Sequence, residues 1–254
     1  MTANEMANEF ELRYDKVTNF AAPGYEDSEI SDILNWAIRV YIKTTYSSES
    51  NRYKDGFEAT EKRRKDLSQL VKGPHDNTGA LLTSISTNQN GAVQYGRLFD
   101  LPTNCWLVIS EEAITDVDDC TSTATPKPKV RIPVKPVSHS FYTVNRKNPD
   151  RKPYVKGSDG LCWRLDYSSE TTYTMPLRHE LITDGSFNIT DYLIRYIKKP
   201  IEVIVDRNTT ANQVNCELDE MTHDEIVDIA VMKAAGITNP QDYQIKINEA
   251  ANKE

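Results

Sequence analysis

The sequence predicts an α+β fold in which helices at both ends of the chain flank a β-rich middle. Near the two ends, apolar residues recur at spacings of three and four, the period of a helix that is buried on one face. Between about residues 77 and 205, apolar residues alternate with polar ones, as in strands. Six prolines between residues 126 and 153 are expected to exclude helix and predict an extended arm rich in proline and lysine.

Three helices are expected in the first 75 residues. Thr2 and Glu5 have the spacing of a capping box, and the Pro23-Gly24 pair ends the first helix. A second helix is expected to start near Asp27, and a third lies within residues 57–71. The apolar stripe of the second helix consists of Ile30, Ile33, Leu34, Ala37, Val40 and Tyr41.

The middle of the chain contains short segments of period two, separated by turn residues. The expected strands cover residues 80–86, 91–99, 105–109, 161–167, 171–176, 192–197 and 201–205. The last two meet at Pro200, which cannot donate to a ladder and therefore predicts a corner or an edge. Within the arm, residues 130–134 alternate and are expected to form an edge strand.

Helical spacing returns after residue 219. Thr222 and Glu225 form a second candidate capping box, which would leave His223 on the surface beside the cap. Gly236 is expected just after the end of this helix, and Asn239-Pro240 has the pattern that begins another.

These elements divide the chain into two parts. Residues 1–75 with 219–254 form the expected helical part, and residues 76–218 form a β-rich insertion whose arm covers 124–156. A chain of 254 residues can bury one large core or two smaller ones, so a single domain with an insertion and two separate domains both stay open.

Composition excludes some classes of protein. No apolar run approaches the roughly 20 residues of a membrane-spanning helix, and the first ten residues lack the pattern of a signal peptide, so no membrane partner is expected. The net charge of −8 disfavours general binding to nucleic acid. This charge is uneven, because residues 124–156 carry nine bases and one acid and leave −16 on the rest of the chain.

The sequence shows no pattern for catalysis, for a cofactor or for a metal. Nucleotide-binding glycine patterns, a nucleophile elbow and zinc-ligand spacings are all missing. The four cysteines are widely spaced and are expected to be reduced, and the acidic run at Asp116–Asp119 lacks the glycine and glutamate of a calcium loop. We therefore expect no enzyme, although a site assembled in space around His139 or His179 remains an alternative.

The arm is the main candidate for binding a partner. Tyrosine and arginine are enriched at protein interfaces, and interleaved bases and aromatic residues also occur in nucleic-acid-binding proteins. The prolines and the acidic remainder of the chain favour an arm that lies on an acidic surface of another subunit. The candidate interface residues in this region are Lys127, Lys129, Arg131, Lys135, Tyr142, Arg146, Lys147, Arg151 and Tyr154.

Five segments, in this order, resemble the head-to-tail connector proteins of crAss-like tailed bacteriophages. They are APGYEDSEISDIL, KPVSHSFYTVNRKNPDRKP, GLCWRLDY, YLIRYIKKPIEVIV and CELDEMTHDEIVDIAV, which together extend from about residue 21 to residue 231. The resemblance implies a non-enzymatic virion protein whose helical part is similar to the adaptor rings beneath the phage portal. Side-by-side packing of such helices makes Ile30, Trp36 and Tyr41 further candidate interface residues.

The resemblance also implies partners and a location. It implies a homo-oligomeric ring in the neck, between portal and tail, that matches a twelve-fold portal. The implied partners are the portal protein, adjacent neck or tail ring proteins, and genomic DNA that crosses the lumen without sequence recognition. The protein would be located in the virion after assembly in the host cytoplasm. The alternatives are another ring or tail-barrel protein of the same virion, and a nucleic-acid-binding module that uses the basic arm.

Overall fold

The chain folds into two compact units, which are joined where it passes from Leu70 to Val71 and from Lys199 to Pro200. The computed structural model describes residues 1–17, 24–47, 56–73, 81–83, 95–116, 129–157, 159–167 and 178–238. Residues 1–70 with 200–254 form one unit, here called the helical unit. Residues 71–199 form the other, here called the β unit. The mixed content of helix and strand confirms the predicted α+β class.

The described part of the chain contains five α-helices and nine strands. The helices are α1 (Ala3–Val17), α2 (Asp27–Tyr46), α3 (Glu61–Asp66), α4 (His139–Asn145) and α5 (Glu220–Thr238). The strands are β1 (Val71–Lys72), β2 (Leu81–Thr83), β3 (Gly96–Asp100), β4 (Cys105–Asp116), β5 (Lys129–Pro136), β6 (Tyr154–Lys156), β7 (Asp159–Tyr167), β8 (Arg178–Ile182) and β9 (Asn188–Lys198). The strand expected at 171–176 and the helix expected from Pro240 lie outside the described residues.

Local capping explains where α1 and α2 begin. In the predicted box, the Thr2 amide donates to the Glu5 carboxylate at 2.7 Å and the Glu5 amide donates to the Thr2 hydroxyl at 3.3 Å. Glu26 and Glu29 cap α2 in the same reciprocal way. Of the predicted α2 stripe, all members except Val40 are buried, so the helical period identified the buried face of this helix correctly.

The other helices of the unit differ in their ends from the prediction. The third helix ends at Asp66, and Val71 and Lys72 pair instead with β9. Asp219 caps α5, because its carboxylate accepts from the Met221 amide at 3.0 Å, and α5 continues through Gly236 to Thr238. Thr222 is therefore not the cap.

The segment after Pro200 lies along α2 and is not a second strand of the sheet. The Asn35 side chain makes two hydrogen bonds to the backbone of Val203, at 2.9 and 2.8 Å, and the Val205 amide donates to the Ser31 hydroxyl at 3.0 Å. Its one β-bridge joins Ile204 to Val214. These contacts place residues 200–218 with the helices, whereas the predicted insertion extended to residue 218.

In the β unit the strands follow the order β1-β9-β4-β5-β7-β8-β3, with β2 also on β9 and β6 on β7. The pair β5–β7 is parallel and the other pairs are antiparallel. The main core contains the rings of Phe99, Tyr192 and Tyr196. Among the described residues, no helix has the length and apolar character needed to cross a membrane.

The expectation of an extended arm is wrong for the part that the structure describes. Strand β5 lies between β4 and β7 in the strand order: residues 129–133 pair with β4, and residues 134–136 pair with β7. Pro133 lies at the point where β5 changes partner, a position at which a missing N–H is tolerated. Residues 124–128, which include Lys127, lie outside the described part of the chain.

The arm also contains a helix that the prolines were expected to exclude. The Ser138 hydroxyl accepts from the Phe141 amide at 3.2 Å and starts α4. Pro136 and Pro149 both lie outside this helix, and proline disfavours helix only within its interior. Phe141 and Tyr142 pack on Trp163 of β7, with ring centroids 5.5 and 6.5 Å apart in edge-to-face geometry.

Candidate interaction surface

The bases of the predicted arm fall into two groups according to their neighbours. Lys129, Arg131 and Lys152 have carboxylate partners in the β unit. The distances are 3.6 Å from Lys129 to Asp191, 3.8 Å from Arg131 to Glu112 and 3.0 Å from Lys152 to Asp184. Their charges are balanced within the unit, so they add little net positive charge to its surface.

A second group of bases lies on the turn that follows α4. Arg146, Lys147 and Arg151 are exposed, and among the described residues no carboxylate lies within ion-pair distance of them. Val144, beside them, is exposed over 77% of its surface. We call these four residues the α4 patch. An exposed apolar residue among unpaired bases is a surface suited to an acidic protein partner.

Hydrogen bonds and buried side chains hold the α4 patch in place. The Asn145 amide group donates to the Phe141 carbonyl at 2.9 Å, and the turn is closed by backbone bonds from Asn148 to Asn145 and from Arg151 to Asn148. Pro153, two residues after Arg151, is buried. The patch is therefore supported on a folded turn of the β unit, which lowers the ordering entropy lost when a partner binds.

The remaining arm candidates have individual surroundings. The Lys135 amine lies 5.7 Å from the centre of the Phe141 ring, a cation–π contact, and Tyr142 is half-buried against Trp163. The exposed Tyr154 hydroxyl donates to Asp159 at 3.2 Å, and this hydrogen bond raises the pKa of Tyr154. Their part in a subunit interface stays a prediction.

The candidates in α2 lie mostly inside the helical unit. Ile30 and Tyr41 are buried, and the Tyr41 hydroxyl donates to the buried Asp66 carboxylate at 3.1 Å. Burial raises the pKa of Tyr41 well above its usual value. Ile30 and Tyr41 were expected at a subunit interface, but both side chains are buried inside their own unit and stabilise its core. Trp36 is partly exposed, with the Lys233 amine 4.4 Å from the centre of its ring.

The two units carry different charges. Over the sequence, the helical unit has 24 acidic and 14 basic side chains, and the β unit has 14 and 16, so the net charges are −10 and +2. On the helical unit, Met221 is exposed over 77% of its surface in the first turn of α5. Glu220, Asp224 and Glu225 surround it and are also exposed. We call these four residues the α5 patch.

The β unit contains a buried polar network around His179, one of the two histidines considered above as the centre of an assembled enzyme site. Arg164 pairs with Glu111, and both side chains are largely buried, at 11% and 8% exposed. Arg164 also contacts Asp166 at 2.8 Å. The His179 ring lies 2.8 Å from the Tyr192 hydroxyl through Nδ1 and 3.6 Å from Asp166 through Nε2. Strands β4, β7, β8 and β9 thus bring these groups together from distant parts of the sequence.

The protonation states of this network suit a structural role. Burial, assisted by the nearby Arg164 charge, lowers the pKa of His179 to about 4, so its ring is neutral at neutral pH. The neighbouring Cys162 thiol is buried, which raises its pKa, and it donates to the Ile182 carbonyl at 3.2 Å. A thiol held in its protonated form is a poor nucleophile. Among the described residues, no group of His, Cys, Asp and Glu is arranged to hold a metal ion.

Comparison with known proteins identifies the family. The family model described as phage tail ring protein 3/4 matches residues 1–246. The chain belongs to this phage tail ring protein family. The predicted resemblance to ring proteins of crAss-like phages is thereby confirmed.

Two relatives of this ring protein family come from Bacteroides phage crAss001. Ring protein 4/5 of that phage is 32% identical over 241 residues, which cover 91% of each chain. Ring protein 3 is 26% identical over 222 residues, which cover 82% of this chain and 84% of the relative. One phage therefore contains two proteins similar to this chain, with different ring numbers.

The candidate surface contains residues that the sequence had singled out and residues that it had not. The bases Arg146, Lys147 and Arg151 were among the candidate interface residues, because charge counting needs no structure, and their part in an interface stays a prediction. Val144 and Met221 were missed, since a single apolar residue in a short or amphipathic helix is most often buried. His223 was expected on the surface but is buried, with Nε2 3.1 Å from the Leu218 carbonyl. Burial lowers the pKa of His223.

Proposed function

We propose that this chain is a structural, non-enzymatic subunit of a closed homo-oligomeric ring in the virion of a crAss-like phage. The observation that carries this proposal is the match to the ring protein family over residues 1–246, with two relatives that are named ring proteins. The protonated Cys162 thiol and the enclosed, neutral His179 support a structural role, since neither has the properties of an activated catalytic group.

We further propose that the ring lies in the neck, between portal and tail, and matches the twelve-fold symmetry of the portal. Its partners would then be the portal protein and neighbouring rings, and assembly would take place in the host cytoplasm. The higher identity to Ring protein 4/5 than to Ring protein 3 favours a position equivalent to the former. Genomic DNA would pass through the lumen without sequence recognition, and the acidic balance of the chain favours passage over tight binding.

The ring proposal is tested on the purified full chain. Mass photometry over a range of protein concentrations, followed by negative-stain microscopy, should show closed rings and give their copy number. A chain that stays monomeric at every concentration and salt condition would contradict ring formation. Cryo-electron microscopy of the virion then tests the position of the ring along the neck.

A deletion of residues 126–156 is unsuitable for this test, because it would remove the internal strand β5 together with α4. Substitutions on the exposed surface keep the sheet intact and test the interface directly.

One observation favours a second candidate function, which is binding to nucleic acid. The exposed bases of the α4 patch have the charge to contact phosphate. Titration of duplex binding against salt separates the two functions, because several phosphate contacts give a steep dependence on salt concentration. A shallow dependence with weak binding is expected if the patch binds protein.

A further inference from the structure

We propose that the α4 patch of one copy binds the α5 patch of the next copy, so that the ring is built from head-to-tail contacts between the β unit and the helical unit. This inference depends on the proposed ring function and specifies the two surfaces that meet. It also assigns a role to Val144 and Met221, two strongly exposed apolar side chains.

A cyclic ring of more than two identical subunits requires heterologous contacts, in which each subunit contributes two different and complementary surfaces. A patch that is complementary to itself would give a closed dimer instead. The chain must therefore offer two surfaces that match each other and not themselves.

The two patches are complementary in their chemistry. The α4 patch places Val144 among Arg146, Lys147 and Arg151, with one acid, Asp150, on the same turn. In the α5 patch, Met221 lies among carboxylates instead. Each patch thus has an apolar side chain that is 77% exposed, surrounded by charges of one predominant sign, and the signs are opposite. Opposed charges around an apolar contact direct association and fix its register.

The negative charge of the α5 patch is only partly balanced within its own chain. Asp224 lies 2.6 Å from Arg13, but Arg13 also contacts Glu9 and Asp228 at 2.8 Å. Glu225 lies 2.7 Å from Lys62. Glu220 is 86% exposed, and its partner, the amino terminus, is 3.7 Å away. Carboxylates therefore exceed bases around Met221.

Neither patch is part of the core of its own unit. The charged groups of the α4 patch make no ion pair with a described residue, and the apolar side chains Val144 and Met221 are both 77% exposed. In the α5 patch, Asp224 and Glu225 pair with Arg13 and Lys62 of their own unit, but these ion pairs are partly exposed, and such pairs contribute little to stability. The α4 turn is held by backbone hydrogen bonds and by the packing of Phe141 and Tyr142 on Trp163. Substitutions in either patch should leave the monomer folded.

Charge reversal on the full chain tests this inference. We expect R146E/K147E to raise the protein concentration at which half of the chain is in rings by about tenfold or more, since like charges then face each other. We expect E220K/E225K to have the same effect. When both pairs of substitutions are placed in one chain, the two patches again carry opposite predominant charges, although Arg151 and Asp224 keep their original signs. Assembly should therefore recover by a large part of the tenfold loss.

The matched control for R146E/K147E is R64E/K65E. It replaces two adjacent, exposed bases of α3 by acids and so makes the same change in net charge. It should assemble like the wild type. V144S and M221S test the apolar contact separately from the charges, and each should weaken assembly without changing the net charge. Circular dichroism and thermal unfolding confirm that each variant is folded.

The outcomes separate this inference from the ring proposal. Wild-type rings together with unchanged assembly of both reversal variants would overturn the patch pairing and leave the ring function standing. A wild-type chain that never assembles would overturn both. If R146E/K147E loses salt-sensitive binding to duplex DNA while its rings remain, the α4 patch is a nucleic-acid contact and the inference is wrong.

Discussion

Acidification is expected to destabilise the β unit through His179. The imidazole is 4% exposed, and burial beside Arg164 lowers its pKa from 6.5 to about 4, although Asp166 opposes this shift. In the unfolded chain the same ring binds a proton near pH 6.5. Between these two values the unfolded state therefore holds more protons, so the stabilisation is complete above pH 6.5 and is lost as the pH falls towards 4.

The magnitude follows from the size of the shift. One pKa unit corresponds to about 1.36 kcal/mol, so lowering the pH from 7 to 4 should remove about 3 kcal/mol of stability through this residue. That is a large share of the roughly 5–15 kcal/mol that stabilises a typical domain.

The assay compares the wild type with H179Q, in which the amide can still hydrogen-bond to Tyr192. Urea unfolding is followed by tryptophan fluorescence in a W36F background, which leaves Trp106 and Trp163 as reporters, both in the β unit. Carboxylates titrate in both proteins, so the difference between their pH profiles isolates the imidazole. The wild type should lose about 3 kcal/mol more than H179Q between pH 7 and pH 4.

Two results would refute this reasoning. The first is a pair of pH profiles that stay parallel to within about 0.5 kcal/mol, the usual effect of a surface substitution. The second is a nuclear magnetic resonance titration of the His179 ring with a midpoint near 6.5, which would show that the ring is solvated in the folded chain.

Three further substitutions test contacts inside the two units, and the free energy of unfolding is measured for each. G160A should destabilise the chain by about 1–3 kcal/mol, because the added methyl carbon would lie 2.7 Å from a side-chain atom and 2.9 Å from a backbone oxygen. R164M should cost about 3–5 kcal/mol, because it leaves Glu111 buried without its partner. N35A removes both hydrogen bonds to the Val203 backbone and should cost about 1–3 kcal/mol.

Each of these variants has a control in the same chain. G56A adds a methyl group where no atom lies within 4 Å and should be tolerated, so equal losses at both glycines would contradict the crowding argument. E111L added to R164M removes the unpaired charge and should recover much of the loss. D32A changes an exposed neighbour of Asn35 and should stay within about 0.5 kcal/mol; a similar loss in N35A and D32A would argue against the hydrogen bonds to Val203.

The helices were predictable because their signals are local. The capping box at Thr2 and Glu5 and the spacing of apolar residues in α2 involve neighbours within a turn or two. Asp219 shows the limit of such signals. It precedes a second acceptable cap, Thr222, and only the packing of α5 decides between them.

The candidate surface was only partly predictable. Counting charges located the basic segment, but the separation of its bases into paired and unpaired groups depends on strands that are distant in the sequence. Lys129 forms an ion pair with Asp191 in β9, and Arg131 forms one with Glu112 in β4. The turn at Arg146 has no such neighbour among the described residues.

The sequence alone specified the α+β class, the presence of helices near both ends of the chain, the uneven charge and the family, since composition, period and ordered segments are properties of the chain itself. Tertiary structure decided that residues 129–136 form an internal strand, that residues after Pro200 join the helices, and that His179 is enclosed beside Arg164. The physical reason is that pairing between strands and burial depend on groups far apart in the chain, and no local pattern records which of them will meet.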